Sequence, residues 1–374
     1  MIQTTTPTPI TPIASASLEF REGNSDKLYQ AAIEPKGDGF IVTFAFGRRG
    51  SMLNTGTKTA VPVSLAEATK VFDKLVASKL AKGYQSGGNG ATIYQLTGDE
   101  GRDSGIRCQL LNPVEESELP RLLGDSQHCL QEKYDGRRLL VRKQGNEITG
   151  INRRGLVIAL PEPIRQAVAS IPLDVLIDGE AVGDTLHVFD LLELNGTDLR
   201  GDAYRDRHAA LVTLIDGDYS ALRVVAAVIG PADKAKTYQS LRGNNREGVV
   251  FKDLDAPFSP GRPNSGGPQL KFKFVESASF VVTGRNARRS VSLGLYSGDG
   301  EGNADTLVPA GNVTIPVNHE IPQMGTVIDV KFLYALRQSG SIYQPVYIGP
   351  RTDIPAAECT TDQLKYKAEA QAAA

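Results

Sequence analysis

One lysine, Lys133, lies in a segment whose side chains suit covalent chemistry on a phosphate, residues 132–138 (EKYDGRR). A lysine amine is a nucleophile only when it is neutral, and at an unperturbed pKa near 10.4 about one molecule in a few thousand is neutral at pH 7. That scarcity costs about 4–5 kcal/mol in the attacking species unless surrounding cations lower the pKa. We therefore expect other basic side chains to converge on Lys133.

Two further lysines, Lys271 and Lys273, occupy alternate positions of a strand-like run, residues 270–273 (LKFK). Side chains two residues apart in a strand point to the same face, so both ammonium groups serve one site. We expect them to hold a nucleotide α-phosphate and to help deprotonate Lys133. Lys133, Lys271 and Lys273 are therefore the predicted catalytic residues.

Phosphoryl transfer also requires a divalent cation, and Mg²⁺ takes one or two protein carboxylates and keeps several waters. Two acids stand beside glycine at the ends of strand-like runs, in residues 178–180 (DGE) and 247–248 (EG). Glycine at such a place lets the backbone turn tightly and lets a ligand approach. The sequence therefore predicts Glu180 and Glu247 as ligands of Mg²⁺, or of Mn²⁺ in its place.

The first structural unit along the chain is predicted to be a small sheet with one packed helix. Strand-like runs precede a helix that begins at Ser64, where Ser64 and Glu67 form a capping box. Apolar residues then recur at three- and four-residue steps, which gives the helix one apolar face. Gly83 ends the helix.

The remaining elements predict an α+β chain with two more domains. Short strands alternate with helical stretches at 161–170 and 204–214, which is typical of antiparallel sheets with helices. From Glu276 onward, strands separated by Gly, Pro and Asn turns indicate a small β-barrel, and the Ala/Lys-rich end from Thr361 is predicted as a frayed helix. The predicted boundaries are a disordered tail (1–16), a sheet-plus-helix domain (17–86), a linker (87–105), a mixed domain of antiparallel sheets (106–275), a barrel (276–360) and a C-terminal tail (361–374).

The composition excludes several classes of protein. The chain has 374 residues, 40% hydrophobic and 22% charged, and no apolar run approaches the roughly 20 residues that span a bilayer. No secretory signal is present, so we expect a cytoplasmic protein with no membrane contact. Three widely spaced cysteines show no zinc-ligand pattern and are expected to stay reduced. The net charge of −2 means that any nucleic-acid binding comes from local basic patches.

The motifs resemble, in their order and at plausible spacings, those of the covalent nucleotidyltransferases, which comprise ATP-dependent DNA ligases, RNA ligases and mRNA capping enzymes. The similar segments are 133–138 (KYDGRR), 152–155 (NRRG), 178–180 (DGE), 188–190 (VFD), 247–250 (EGVV) and 270–273 (LKFK). The resemblance covers about 106–274. It implies a ligase-type adenylation domain, followed by an oligonucleotide-binding (OB) fold, with ATP as the cofactor.

Carried over position by position, the resemblance implies a role for each candidate residue. Lys133 would form a phosphoramide with AMP, and Glu247 would hold a metal. The other implied contacts are Arg138 and Glu180 at the ribose, Phe189 on the adenine ring, Gln131 at the adenine edge, Arg153 at a phosphate of the nucleotide or the nicked strand, and Lys271 and Lys273 at the nucleotide phosphate. Residues 349–354 (GPRTDI) resemble the family's Arg-x-Asp-Lys element, so Arg351 would orient the pyrophosphate, with Ile354 in place of the lysine.

The first domain resembles the WGR module of poly(ADP-ribose) polymerases and of some ligase-associated proteins. The similar residues are 25–29 (SDKLY), 46–50 (FGRRG) and 79–84 (KLAKGY), with Phe46 in place of the signature tryptophan. The resemblance implies DNA binding, in which Arg48, beside Arg49, holds an end phosphate and Phe46 stacks on an exposed sugar or base. A solvated turn is the alternative for the two arginines.

Together the resemblances imply an ATP-dependent DNA ligase that seals 5′-phosphate and 3′-hydroxyl ends through a lysyl-AMP intermediate. The implied partner is nicked or broken double-stranded DNA, and we expect a monomer. Three alternatives stay open: an RNA ligase, a capping-type guanylyltransferase that would use GTP, and a non-catalytic DNA-end-binding protein. The WGR-like module favours DNA over RNA, and the intact Lys133 with both candidate acids disfavours the non-catalytic alternative.

Overall fold

The structure is a computed structural model that describes residues 12–22, 25–48, 53–59, 61–87, 94–95, 101–217, 219–297 and 307–368. Its strands are β1 (Ala14–Glu22), β2 (Ser25–Lys36), β3 (Gly39–Arg48), β4 (Asn54–Thr57), β5 (Gln85–Ser86), β6 (Tyr94–Gln95), β7 (Asn112–Pro113), β8 (His128–Glu132), β9 (Arg137–Gln144), β10 (Glu147–Asn152), β11 (Val157–Ile158), β12 (Leu160–Pro161), β13 (Val175–Val182), β14 (Thr185–Leu194), β15 (Thr197–Asp198), β16 (Leu222–Val224), β17 (Gly248–Asp253), β18 (Gln269–Lys273), β19 (Glu276–Arg285), β20 (Ser290–Tyr296), β21 (Leu307–Thr314), β22 (Val327–Phe332), β23 (Tyr334–Ala335), β24 (Ile342–Tyr343) and β25 (Val346–Arg351). The helices are α1 (Leu65–Leu80), α2 (Leu119–Gly124), α3 (Glu162–Ala169), α4 (Tyr204–Leu214) and α5 (Pro231–Gly243), with 3-10 turns at Glu116–Glu118, Ala356–Glu358 and Thr361–Gln363. The predicted α+β class is confirmed. Within the described residues no helix has the length and apolar character to cross a bilayer.

The chain divides into two compact units. The first contains residues 1–109, 135–225 and 256–261, and the second contains residues 110–134, 226–255 and 262–374. The central domain predicted from the sequence, 106–275, contributes to both units.

The N-terminal sheet of the first unit has the strand order β4-β3-β2-β1-β5. Helix α1 begins where the Ser64 side chain accepts a hydrogen bond from the Glu67 amide (3.3 Å), the cap that the sequence predicted. Gly83 follows the helix with φ +84°, a left-handed conformation that glycine adopts without strain. The buried core beneath α1 consists of Leu18, Tyr29, Ala31, Ile33, Val42, Ala68 and Leu75.

The second sheet of the first unit has the order β11-β10-β9-β13-β14-β15, with β16 parallel to β14. Side chains of β9, β13 and β14 form its core with residues of α3 and α4. Three residues of the N-terminal domain belong to the same hydrophobic cluster: Leu28, Ala45 and Leu53. The N-terminal domain therefore packs on the second sheet of its own unit, and Arg137 Nη1 adds a hydrogen bond to the Leu53 carbonyl (2.9 Å).

A four-stranded sheet in the second unit has the order β7-β18-β17-β8 and packs with α2 and α5. Lys234 of α5 is fully buried. Its ammonium donates to the carbonyl oxygens of Leu122 (2.7 Å), Asp125 (2.6 Å) and His128 (2.9 Å). A helix whose buried face carries a lysine lacks a clear apolar stripe, so sequence reasoning did not predict α5.

The C-terminal sheet of the second unit is antiparallel, with the order β21-β20-β19-β22-β25. The helix predicted from Thr361 is wrong for the described residues. Thr361–Gln363 form a 3-10 turn, and Tyr366 makes a β-bridge to Ala335. Leu364 is buried in the core of this sheet and Tyr366 packs against that core, so tertiary contacts outweigh the helix propensity of Ala and Lys.

Candidate active site

Four polar side chains of the second unit share one face of the sheet formed by β8, β17 and β18. Val250 of β17 pairs with Gln131 on one side and with Lys271 on the other. Gly248 pairs with Lys273, and its carbonyl accepts a hydrogen bond from the Lys133 amide (3.0 Å). Paired residues, and residues two apart in a strand, lie on the same face. The four side chains on this face are Gln131, Lys133, Lys271 and Lys273.

Glu247 joins two of these lysines. Lys133 Nζ lies 2.6 Å from Glu247 Oε2, and Lys273 Nζ lies 2.9 Å from Glu247 Oε1. The Glu247 side chain is 3% exposed, against 17% for Lys133 and 27% for Lys273. Lys273 also donates to Gln344 Oε1 of the C-terminal part of this unit (2.8 Å). Two ammonium groups around one buried carboxylate leave a net positive charge, which favours an anionic ligand such as a phosphate.

Gly248 is required by the close approach of β17 and β18. A Cβ atom at this position would collide with the Phe272 carbonyl oxygen and would lie 2.9 Å from Lys273 Cα. Any larger residue would push the two strands apart. The glycine after Glu247 therefore keeps Lys273 within reach of the carboxylate.

A second ion pair, which sequence reasoning missed, flanks the first. Arg246 Nε lies 3.5 Å from Glu132 Oε1, and the Tyr134 hydroxyl hydrogen-bonds to Glu132. Burial raises the pKa of Glu132 above its ordinary value and raises the pKa of Tyr134 to about 12, so the phenol stays protonated at neutral pH. The sequence contains a signal for this pair, because an acid, Glu132, immediately precedes Lys133 and a base, Arg246, immediately precedes Glu247.

In the first unit, Arg138 is held by a carboxylate and an aromatic ring. Its Nε and Nη2 atoms donate to the two oxygens of Asp178 at 2.6 and 2.7 Å. The Asp178 side chain is 0% exposed and that of Arg138 12%. The guanidinium carbon lies 4.5 Å from the centre of the Phe189 ring. Sequence reasoning named Arg138 and Phe189 but gave Asp178 no role, although it is the first residue of the DGE motif.

Glu180 and Phe189 lie on the same sheet of the first unit. Glu180 of β13 pairs in register with Arg138 on one side and with His187 on the other. Phe189 of β14 is half-buried, and its carbonyl oxygen accepts a hydrogen bond from the Tyr204 hydroxyl (2.8 Å). The implied ribose and adenine contacts of this unit, Arg138, Glu180 and Phe189, are therefore neighbours.

Arg153 is exposed in the turn between β10 and β11. The Asn152 side chain closes this turn by accepting from the amides of Arg154 (2.8 Å) and Leu156 (3.1 Å). Gly155 has φ +81°, where any Cβ would meet the Ile106 carbonyl oxygen. The NRRG motif is thus a rigid turn that presents Arg153 to solvent.

Arg351 makes two ion pairs within the second unit. Its Nη1 atom donates to Asp329 (2.8 Å), and its Nε and Nη2 atoms donate to the two oxygens of Asp353 (2.7 Å each). Ile354 packs against the core of the C-terminal sheet. The position where the family element has a lysine therefore contributes apolar packing here, and Arg351 is engaged by carboxylates of its own unit.

Of the predicted DNA-contacting residues in the N-terminal sheet, Phe46 is exposed to solvent. Its side chain is 43% exposed at the end of β3. For Arg48 only the backbone is described, as the last residue of β3, and Arg49 lies outside the described residues.

The donor set around Glu247 fits Mg²⁺ only when a substrate supplies further oxygens. Among the described residues, no group of three His, Cys, Asp or Glu side chains is placed to hold a metal ion. Mg²⁺ is typically bound by one or two carboxylates together with substrate phosphates and waters. Glu247, buried and carboxylate-bearing on the lysine face, is suited to such a shared site. Glu180 is the corresponding candidate within the first unit.

Two domain models match the chain. The WGR domain matches residues 14–91, and the ATP dependent DNA ligase domain matches residues 183–273. The first range contains Phe46. The second contains Phe189, Glu247 and the lysines of β18, whereas Lys133 lies outside it. Both resemblances predicted from the sequence are confirmed.

The chain is similar to known ligases over part of its length. It is 30% identical over 211 residues to a DNA ligase of Halobacterium salinarum, covering 45% of this chain and 37% of that protein. It is 31% identical over 159 residues to the multifunctional non-homologous end joining protein LigD of Mycobacterium bovis, covering 37% of this chain and 20% of that protein. The chain thus spans 37% and 20% of the length of these two curated relatives.

Solved ligase structures also align with the chain. The ligase domain of LigD from M. tuberculosis aligns with a TM-score of 0.42 and 23% identity, covering 68% of this chain and 98% of that domain. A Lig E DNA ligase aligns with a TM-score of 0.49 and 18% identity, covering 66% of this chain and 99% of that one.

Proposed function

We propose that this chain, in which a WGR domain precedes an ATP-dependent DNA ligase domain, seals 5′-phosphate and 3′-hydroxyl ends of double-stranded DNA with ATP, through AMP linked to Lys133. The observation that carries the proposal is the arrangement of Lys133, Glu247 and Lys273. A nucleophilic amine is held at a buried carboxylate, and a second cation on the same sheet face is placed to bind phosphate. A solvated turn would not bury such a cluster.

The proposed reaction has three displacements at phosphorus. The Lys133 amine, released from Glu247 and having lost a proton, attacks the α-phosphorus of ATP, and pyrophosphate leaves with the bonding electrons. An oxygen of the DNA 5′-phosphate then attacks the same phosphorus and displaces Lys133. Finally, the 3′-hydroxyl attacks the 5′-phosphorus and AMP departs. Mg²⁺, when bound, neutralises phosphate charge in these steps.

The remaining residues take the roles that the resemblance implies. Lys271 and Lys273 bind the nucleotide phosphate, which neutralises charge where it develops. Arg138 binds the ribose and Phe189 stacks on the adenine; their mutual contact supports one binding surface on the sheet of the first unit. Gln131 recognises the adenine edge. For Arg351, the proposed pyrophosphate contact requires that the guanidinium leave Asp353.

The decisive experiment is covalent labelling. The chain is incubated with ATP labelled at the α-phosphate and Mg²⁺, and radioactivity on the denatured protein is measured. We expect the unaltered chain to be labelled and Lys133→Ala to be unlabelled. Lys133→Arg keeps a cation beside Glu247 without the amine nucleophile and should also be unlabelled, whereas Lys236→Ala, at an exposed position of α5, should label normally. Labelling of Lys133→Arg at the level of the unaltered chain would overturn the assignment.

Two comparisons separate the alternatives. Labelling with GTP in preference to ATP would identify a guanylyltransferase. Sealing of nicked RNA in preference to nicked DNA would identify an RNA ligase. A chain that binds DNA and is labelled by neither nucleotide would be a non-catalytic end-binding protein. The buried pairing of Lys133 with Glu247 disfavours that last outcome, because a degenerate site has no need to keep both charges.

A further inference from the structure

Three polar side chains of the second unit join the residues that neighbour Lys133 and Glu247 in the chain. We call them the Glu132 group and define it by Glu132, Tyr134 and Arg246. Arg246 Nε lies 3.5 Å from Glu132 Oε1, and the Tyr134 hydroxyl donates a hydrogen bond to Glu132. The Glu132 side chain is 18% exposed and that of Arg246 26%.

Glu132 lies on the opposite face of the sheet from Lys133. It pairs in register with Val249 of β17, which is fully buried in the core that α2 and α5 cover. Paired residues share a face and successive residues alternate between faces, so the Glu132 side chain lies on the helix-covered side. The same two chain segments are therefore joined twice, by Lys133 and Glu247 on one face and by Glu132 and Arg246 on the other.

The end of helix α5 holds the backbone of Arg246. The Arg246 amide donates to the Leu241 carbonyl (3.1 Å). The Asn245 amide donates to the Arg242 carbonyl (3.1 Å), and Asn245 has φ +54°. These two bonds around a left-handed residue form a Schellman motif, which ends a helix with a defined backbone path. Because Leu241 packs against the core beneath α5, the helix presents Arg246 at a fixed place.

Lys133 depends on such an anchor because it lies just beyond the end of its strand. β8 ends at Glu132, and the chain passes to the first unit after Tyr134. A backbone hydrogen bond from the Lys133 amide to the Gly248 carbonyl (3.0 Å) continues the pairing. The lysine side chain is a flexible four-carbon stem. The position of its amine therefore depends on how firmly the backbone on both sides of Lys133 is held.

The contact between Lys133 and Glu247 cannot position the amine during the reaction. In the proposed first step the amine leaves Glu247 and attacks the α-phosphorus, so this contact breaks when alignment is required. The contact between Glu132 and Arg246 includes none of the reacting atoms and stays intact. Reacting atoms must lie about 3–3.5 Å apart and in line, and a misplacement of about 1 Å can cost about 100-fold in rate.

We propose that the Glu132 group is a positioning group for the Lys133 amine. Arg246, fixed at the end of α5, holds Glu132 and, through it, Tyr134, so the residues on both sides of the nucleophile are restrained. The group acts through the backbone of Lys133, and none of its members is a catalytic residue. This inference rests on the proposed function, because it concerns the formation of lysyl-AMP.

The test is the single-turnover rate of lysyl-AMP formation by the full chain, measured over a range of concentrations of ATP labelled at the α-phosphate. Arg246→Gln should lower the rate at saturating ATP about 10- to 100-fold. The ATP concentration that gives half this rate should stay unchanged, because the group does not bind the nucleotide. Arg246→Lys keeps a cation at Glu132 and should recover most of the rate.

The same helix end offers a matched control. Arg242 of α5 forms an ion pair with Glu116 (3.9 Å), and their side chains are 49% and 75% exposed. Arg242→Gln therefore removes an arginine–glutamate pair close to Arg246 in the chain but away from Lys133, and labelling should proceed at the normal rate. An equal loss in Arg242→Gln and Arg246→Gln would contradict the proposal.

Two further variants show whether the group acts as a unit. Glu132→Gln should slow labelling as Arg246→Gln does. The double variant should be no slower than either single one, since both substitutions remove the same contact. Tyr134→Phe removes only the hydroxyl and should slow labelling less. Losses that multiply in the double variant would show that Glu132 and Arg246 act independently, against the proposal.

Sealing of a nick that already carries AMP separates positioning from loss of structure. That reaction joins the 3′-hydroxyl to the 5′-phosphorus and forms no bond to Lys133. Arg246→Gln should therefore perform it at close to the rate of the unaltered chain, with an unchanged circular dichroism spectrum. A variant that loses labelling and sealing to the same extent has lost more than the position of one amine, and this result would refute the proposal.

The two proposals fail in different ways. Labelling of the unaltered chain together with undiminished labelling of Arg246→Gln refutes the positioning group and leaves the ligase assignment standing. An unaltered chain that ATP does not label refutes the ligase assignment, and the positioning group with it.

Discussion

Removing the Asp178 carboxylate should destabilise the first unit severely. Asp178→Ala leaves the Arg138 guanidinium, 12% exposed, without the two hydrogen bonds at 2.6 and 2.7 Å that now compensate its charge. Breaking a buried ion pair by deleting one partner costs about 3–5 kcal/mol, mostly because the remaining charge stays desolvated. Urea unfolding followed by circular dichroism measures this loss; the chain contains no tryptophan for fluorescence.

The chain offers a matched control for this experiment. Asp103 and Arg107 form a forked pair of the same kind, with distances of 2.8 and 2.6 Å, but their side chains are 56% and 48% exposed. Asp103→Ala should therefore cost a small fraction of what Asp178→Ala costs, since water replaces the lost partner. Equal losses in the two variants would show that burial does not govern the Arg138 pair and would refute the reasoning.

Loss of the Asp178 carboxylate should also have a functional consequence. Without Asp178, the Arg138 guanidinium is free to leave the Phe189 ring. If these two residues bind the ribose and the adenine, the KM for ATP in lysyl-AMP formation should rise in Asp178→Asn, which keeps the side-chain shape. An unchanged KM would show that the ion pair of Arg138 with Asp178 does not contribute to nucleotide binding and has a purely structural role.

Three further experiments, two with substitutions and one with a thiol reagent, test other parts of the structure. Lys234→Met removes an ammonium that donates to three carbonyl oxygens and forms an ion pair with Asp125 (3.2 Å). It should lower the unfolding free energy by about 3–5 kcal/mol in urea denaturation, with Lys236→Met as the exposed control. Gly248→Ala should slow lysyl-AMP labelling at least about tenfold, because the added Cβ separates β17 from β18. Gly243→Ala is the control and should not slow labelling, because a Cβ there meets nothing within 4 Å. Burial raises the pKa of Cys108 to about 12 and the pKa of Cys129 to about 11. At pH 8 both thiols are therefore almost wholly protonated and unreactive. Iodoacetamide should modify them only after unfolding, which mass spectrometry would detect.

Local sequence patterns predicted the elements whose packing is apolar. The helix predicted at 204–214 coincides with α4, Tyr204–Leu214, and the one predicted at 161–170 contains α3, Glu162–Ala169. Helix α5 was not predicted, because its buried face carries a charged residue, Lys234. The C-terminal helix predicted from Ala and Lys content is wrong for residues 361–368, where Leu364 is buried and Tyr366 packs against the core of the C-terminal sheet. The rest of that prediction, residues 369–374, lies outside the described residues.

Side-chain partners were harder to predict than the motifs that contain them. The spacing of Lys271 and Lys273 shows from sequence alone that both point to one face, since alternation is a local property of a strand. The local sequence does not determine which carboxylate forms the ion pair with Arg138. Arg138 pairs in register with Glu180, yet its guanidinium reaches diagonally to Asp178. Register and side-chain length together decide between two acids of the same motif, and neither can be read from spacing.

The lysine face depends on β17, the strand that begins within the EGVV motif. Lys133 and Lys273 are distant in sequence, and β8 and β18 do not pair with each other. They meet because β17 lies between them. Glu247 immediately precedes this strand, and Gly248 lacks the side chain that would hold the strands apart. Hence the EGVV motif has two separable functions: the acid joins the two ammonium groups, and the glycine sets the distance at which it can do so. A variant that keeps Glu247 but alters Gly248 should retain the charges and lose their geometry, and this distinguishes positioning from electrostatics at the site.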